Sequence, residues 1–230
     1  MQTQISVQQT NIVQVSFINK VYTWMCLALT VTGFIAFRTA QSQTLLQLVF
    51  GNSIILIGLF IVELGIVFWM SKNIAKISSN MAIGLFLLYS ALNGLTLSIL
   101  LLVYTASSVA STFFITAGTF GLMSAYGYFT KKDLTSWGNL LFMALVGLII
   151  ASIVNIFWSN PTMYWIISYA GVLIFVGLTA YDTQKIKNMS LELDAESEAG
   201  RKGAIMGALA LYLDFINLFI ILLRILGDRR

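Results

Sequence analysis

Three carboxylic acids lie in stretches otherwise apolar enough to cross a bilayer: Glu63, Asp182 and Asp214. A charged side chain at the bilayer centre costs about 3 kcal/mol on insertion scales, so such acids are rare there and tend to have a function. Two carboxyls that meet in a poorly hydrated place cannot both ionise easily and are expected to share a proton. Two carboxylates completed by carbonyl oxygens or waters also suit a hard cation such as Ca²⁺. Asp182 and Asp214 are therefore candidate proton-sensing residues and candidate Ca²⁺ ligands, provided their helices bring them together. The structural alternative for Asp182 is a helix-end carboxylate paired with Lys185, three residues on. Glu63 has no basic residue within two helical turns. It is expected to be protonated, near water, or partnered from another helix.

Other chemistries are excluded by what is missing. There is no histidine, which removes a Ser-His-Asp triad, a His-paired thiol and a histidine-ligated metal. The single cysteine, Cys26, can form neither an internal disulfide nor a thiolate cluster, and reads as a small apolar helix residue. There is no Gly-rich phosphate loop. The net charge of +4 is spread over short loops rather than gathered into a patch, so no nucleic-acid partner is expected. No cofactor is expected either.

The elements that must position the acids are membrane spans. The chain is 58% hydrophobic and 10% charged, with a mean hydropathy of +0.87, whereas soluble domains carry roughly 25% charge. Residues 77 to 130 and 134 to 181 contain no Asp, Glu, Lys or Arg, and about 20 apolar residues suffice to cross the hydrocarbon core. Apolar runs and their polar breaks predict seven helices: Val21–Phe37, Ile54–Met70, Met81–Val103, Val109–Phe129, Trp137–Trp158, Met163–Tyr181 and Ala204–Leu226. Pro161, the only proline, falls in the Ser159–Thr162 turn, and Ser107 and Ser108 in a tight turn after Tyr104. Trp24, Trp69, Trp137, Trp158 and Trp165 each fall near a predicted helix end, where amphipathic rings prefer to sit. Residues 1 to 20 read as a polar cytoplasmic segment without the features of a secretory leader, 21 to 226 as one membrane domain, and 227 to 230 as a short basic tail.

Orientation follows from basic residues. Lys20, Lys72, Lys76, Lys131, Lys132, Lys185, Lys187, Arg201 and Lys202 fall on the N-terminal side; Arg38, Arg224, Arg229 and Arg230 fall opposite. The N-terminus is expected in the cytoplasm and the C-terminus outside, with a last segment that re-enters instead of crossing as the alternative. If Lys185 and Lys187 snorkel to the cytoplasmic interface, Asp182 lies about one turn inside it, and Asp214 lies about 15 Å along the last helix. Residues 188 to 203, with Glu192, Asp194, Glu196 and Glu198, read as a solvated loop without EF-hand spacing.

Helical periodicity places Gly203, Gly207, Ala210, Asp214, Asn217, Ile221 and Arg224 on one arc of the last helix, which turns Asp214 towards the bundle interior. Asn217 there is expected to make a packing hydrogen bond. Ser90, Asn93, Gly94, Leu97 and Ser98 share a face of the third helix; Gly118, Gly121 and Ala125 share one of the fourth. Both faces are expected to be helix-packing seams.

Residues 181 to 187 (YDTQKIK), 211 to 219 (LYLDFINLF), 89 to 98 (YSALNGLTLS) and the 131 to 134 loop (KKDL) strongly resemble signatures of the Bax inhibitor-1 family. The resemblance runs from about Lys20 to Arg230, and the compact length looks like the bacterial branch. It implies an all-α, seven-transmembrane-helix bundle of a bacterial inner membrane, with the last helix surrounded by the other six. It also implies a pH-sensitive calcium leak governed by two aspartates that match Asp182 and Asp214, with Ca²⁺ and protons as the ions handled. Glu63, Asn93 and Asn217 are expected to support the pair. In similar members a basic residue ending the second helix engages one aspartate. Lys72 is the candidate here, though lysine lacks the bidentate fork of arginine. The alternative function is a non-conducting regulator that binds membrane proteases or other membrane proteins. An intramembrane aspartyl hydrolase is disfavoured, because Ala210 and Gly207 precede Asp214 without the Gly-x-Gly-Asp pattern.

Overall fold

The computed structural model describes residues 2–230, with side chains from residue 14 onward. It is all-α. The helices are α1 (Gln2–Ala40), α2 (Gln43–Phe50), α3 (Ser53–Asn73), α4 (Ser79–Val103), α5 (Ala106–Phe129), α6 (Thr135–Trp158), α7 (Pro161–Glu192) and α8 (Glu198–Leu226). All but α2 are long and apolar enough to cross a membrane. Their starts are locally encoded. Ser42, Asn52, Ser78 and Thr105 each accept a bond from a first-turn N–H, the usual N-cap arrangement. Pro161 opens α7, where its missing N–H costs nothing. Ser159, at φ 45°, closes α6 in the left-handed region.

The helices form two compact units. Of the described residues, the first comprises 2–104, 188–212 and 230. In it α1 and α4 approach closely at Gly94, where a Cβ would lie 2.7 Å from the Thr32 carbonyl oxygen and 2.8 Å from Ile35. Thr32 donates to the Ser90 carbonyl at 2.8 Å, and the Tyr212 hydroxyl lies 2.7 Å from the same Thr32 oxygen. The Tyr212 ring meets Phe86 and Tyr89 edge-on. Lipid tails are as apolar as leucine, so this close backbone approach and bonding across helices hold the unit rather than hydrophobic exclusion. The expected seam through Ser90, Asn93, Gly94 and Ser98 is therefore a seam, and all four are buried.

The second unit comprises residues 105–187 and 213–229. Its core joins Ile174, Phe175 and Leu178 of α7 to Leu218 and Ile221 of α8, with Leu141, Leu145 and Leu148 of α6 packed against it. Phe113 and Phe120 of α5 meet Phe215 of α8 edge-on. Among the described residues α8 is the most buried span and α6 the least. This agrees with the interior place expected for the last helix.

Several expectations need correction. Helix α7 does not stop at Tyr181 but runs to Glu192, and α8 begins at Glu198. Only residues 193–197 join them, because 182–192 carry no Gly or Pro to end a helix and Ile186 is buried. The four acids of residues 192–198 are exposed, as a solvated segment requires, and two of them also have partners. Glu196 pairs with Lys20, and Glu198 accepts from the Ser79 N–H and hydroxyl at the start of α4. The last segment does not re-enter. Its first residue contacts Ser79, and Arg230 donates its N–H to the Val103 carbonyl at the opposite end of α4.

The Gly118, Gly121 and Ala125 face is exposed, with nothing within 4 Å of a Cβ built on either glycine. The close contact of α5 is made instead at Gly127. Trp24 lies inside α1 rather than at its end, because that helix starts upstream of Val21. The turn after Tyr104 is shorter than expected: Thr105 caps α5, and Ser107 and Ser108 are helical. The amphipathic α2 was not anticipated.

Candidate functional site

Helices α7 and α8 carry the acid pair, and α5 and α6 brace α7 on either side of it. A Cβ on Gly127 would lie 2.2 Å from the Ala180 carbonyl oxygen, and one on Gly138 would lie 2.4 Å from the Tyr181 ring. These two glycines let α5 and α6 close on the residues just before Asp182. Just after it, Gln184 accepts from the Leu134 N–H at 2.8 Å and donates to the Lys132 carbonyl at 2.8 Å, clamping the α5–α6 loop. Lys187 donates to the Tyr128 carbonyl at 2.7 Å and lies over the Tyr128 ring. It caps the end of α5 instead of snorkelling, while Lys185 is exposed.

Between these braces the side chains of Asp182 and Asp214 come close enough to interact directly. Carboxylate oxygens only accept, so a hydrogen bond between the two groups is possible only with a proton held between them. Asp214 is buried, at 4% exposure, and Asp182 is half-buried. Asp182 is not at a helix end, since α7 continues beyond it; its carboxyl interacts both with Lys185, as the alternative reading expects, and with Asp214. Asp214 is also deeper along its helix than expected, about 24 Å from Glu198, because α8 starts earlier.

Among the described residues the second Asp214 oxygen has no hydrogen-bond partner, and neither have the buried hydroxyls of Ser124 and Thr183 in the same unit. Buried polar atoms are normally satisfied by protein or ordered water. The open Asp214 oxygen therefore offers a free acceptor to water or a cation. Among the described residues, no group of three or more His, Cys, Asp or Glu side chains could hold a metal. Any cation at the pair would take its remaining oxygens from carbonyls, hydroxyls or water.

The other candidates lie elsewhere. Asn217 makes a hydrogen bond, as expected, donating to the Leu213 carbonyl of its own helix at 2.8 Å. Glu63 and Asn93 belong to the first unit. Glu63 is buried, at 6% exposure, and lies 3.2 Å from the Thr96 hydroxyl, which fulfils the expectation of a partner on another helix. Asn93 donates to the Tyr89 hydroxyl at 3.4 Å and leaves its own carbonyl oxygen without a partner. Lys72 is exposed in the last turn of α3, also in the first unit. Asp133, in the α5–α6 loop, is exposed, and bonds from the Thr135 hydroxyl and N–H hold its carboxyl below the usual carboxylate range. It stays charged through neutral pH and adds no titration there. The sequence reading missed Gln184 and the glycines Gly127 and Gly138. Their only signal is proximity to the acid motif and to the ends of the charge-free stretches.

Comparison with known proteins gives a concordant result. Residues 14–230 match the family described as Inhibitor of apoptosis-promoting Bax1. The chain is 52% identical over 216 residues to "Inner membrane protein YbhL" of Escherichia coli (strain K12), covering 94% of this chain and 92% of that protein. It is 45% identical over 223 residues to an uncharacterized protein of Borreliella burgdorferi, covering 97% and 96%. To the uncharacterized protein RP147 of Rickettsia prowazekii it is 44% identical over 211 residues, covering 92% and 89%. With seven membrane-spanning helices, the motifs at Asp182 and Asp214 and this match over nearly its whole length, the chain belongs to the Bax inhibitor-1 family.

Proposed function

We propose that this protein is a passive Ca²⁺ leak pathway of a bacterial inner membrane, controlled by the proton that Asp182 and Asp214 share. What supports the reading is the contact between two carboxyls on neighbouring membrane helices, one of them buried with an open oxygen. With the proton in place, the pair ties α7 to α8. Removing it leaves two like charges, which repel and draw in a cation. The same pair then answers to protons and Ca²⁺ competitively, and both ligands bias one two-state contact. Cation ligands must be deprotonated, so Ca²⁺ affinity at the pair rises with pH. No covalent step is required, and the residues act as ligands rather than as catalysts.

The test is Ca²⁺ entry into dye-loaded liposomes holding the purified protein, between about pH 5 and pH 8. Asp182→Asn and Asp214→Asn are measured beside the parent. Flux with a pH dependence that either change flattens supports the reading. Folded protein that moves no more Ca²⁺ than empty liposomes at any pH sinks it.

A second reading has one observation in its favour. The exposed Gly118, Gly121 and Ala125 face of α5 is open enough for close approach by another membrane helix. It suits a non-conducting regulator that binds a membrane protease or another membrane protein. Absence of flux together with a membrane partner lost in Gly121→Leu would favour it.

A further inference from the structure

The end of the second unit that carries the close of α8 and the α6–α7 turn holds a cavity of about 640 Å³. Arg224 and Arg229 line it on either side of Tyr164. The Arg224 guanidinium lies 5.1 Å over the Tyr164 ring, and Arg229 donates to the Tyr164 hydroxyl at 3.3 Å. The ring thus fixes both cations without using the in-plane N–H donors of Arg224. Among the described residues no carboxylate pairs with Arg224, and no Asp or Glu lines the cavity.

The amides of the lining are turned the same way. The Asn155 oxygen accepts from the Asn160 N–H, and the Asn160 oxygen accepts from the N–H groups of Thr162 and Met163. With both oxygens engaged, what these side chains offer the cavity is donors. Trp165 supplies an apolar wall and stacks on Tyr169, and Trp158 is 80% exposed nearby in sequence. Such aromatics mark headgroup depth in a membrane protein.

We propose that this cavity binds a phosphate oxyanion, supplied by the headgroup of an anionic phospholipid. Guanidinium forks match phosphate geometry, Arg224, Asn155 and Asn160 line one space together, and the nearby tryptophans are of the kind that favours headgroup depth. Arg224 also sits where a cation offsets the C-terminal dipole of α8. That role alone would leave the cavity without a ligand, and the two cases separate in solution.

The full-length protein, delipidated in uncharged detergent, is titrated by native mass spectrometry with phosphatidylglycerol and with diacylglycerol, which has no phosphate. Arg224→Gln and Asn160→Asp are run alongside. Aspartate keeps the N-cap acceptor for α7 but puts a negative charge in the cavity, so it tests the anion without removing the cap. The expected result is one phosphatidylglycerol held about tenfold more tightly than diacylglycerol, with that preference lost in both variants. Displacement of the lipid by millimolar inorganic phosphate would keep the phosphate site and assign its source to the free ion. Equal binding of the two lipids by the parent, or full preference retained in both folded variants, overturns the proposal.

Discussion

Gln184 and the two aspartates show how few side chains define the site. Replacing Asp214 by Asn keeps the shape but fixes a donor where the proposal places a shared proton. The new amide can donate to Asp182 at any pH, so the contact no longer answers to protons. We expect the pH profile of Ca²⁺ flux to flatten in Asp214→Asn and in Asp182→Asn, with each protein still folded. Gln184 acts through position rather than chemistry. Gln184→Ala removes the acceptor of the Leu134 N–H and the donor to the Lys132 carbonyl. It should cost about 1–3 kcal/mol, because a part-buried N–H loses its partner. Thermal unfolding in detergent measures that cost. The pH profile of flux, if intact, assigns Gln184 to positioning alone.

Among the helices, the site depends on how closely α5 and α6 reach α7. Gly127 faces the Ala180 carbonyl so tightly that a methyl group would lie 2.2 Å from the oxygen, and the clash is with backbone, which cannot rotate away. Gly127→Ala should therefore destabilise by about 1–3 kcal/mol. Gly118→Ala on the same helix is the control. Nothing lies within 4 Å there, so it should be neutral or stabilising by up to about 1 kcal/mol through helix propensity. Melting temperatures that fall for both, or for neither, would refute this division of α5 into a packed and a free face. The α7–α8 connection matters at the same scale. Glu198 fastens the start of α8 to the start of α4, and Glu196 pairs with Lys20. Both helices are thereby anchored beyond the membrane-spanning part that holds the acid pair.

For the whole molecule, the remaining question is direction. The distribution of lysine and arginine expects the N-terminus and the α7–α8 connection in the cytoplasm, with the α6–α7 turn outside. Single cysteines in a Cys26→Ala background test this with a membrane-impermeant maleimide on intact spheroplasts. Ser159→Cys should label directly, and Ser197→Cys only after permeabilisation. The reverse pattern would invert the topology and place the phosphate cavity in the cytoplasm.

Composition and periodicity alone determined the class, the number of spans and which acids lie within them. Long charge-free runs have few physical solutions outside a bilayer, and an acid within one is conspicuous. The seam at Gly94 was legible for the same reason: small and polar residues on one helical face need a neighbour. Tertiary structure decided what depends on distances between segments. Asp182 was legible as an acid near a helix end, but only the packing of α7 on α8 shows that it faces Asp214. Equivalent-looking glycine patterns on α5 divided into an open face at Gly118 and Gly121 and a contact at Gly127. Helical spacing states which residues share a face, not what that face meets. The acids of residues 192 to 198 read as solvent-facing and are exposed, but nothing local reveals that Ser79 and Lys20 partner two of them.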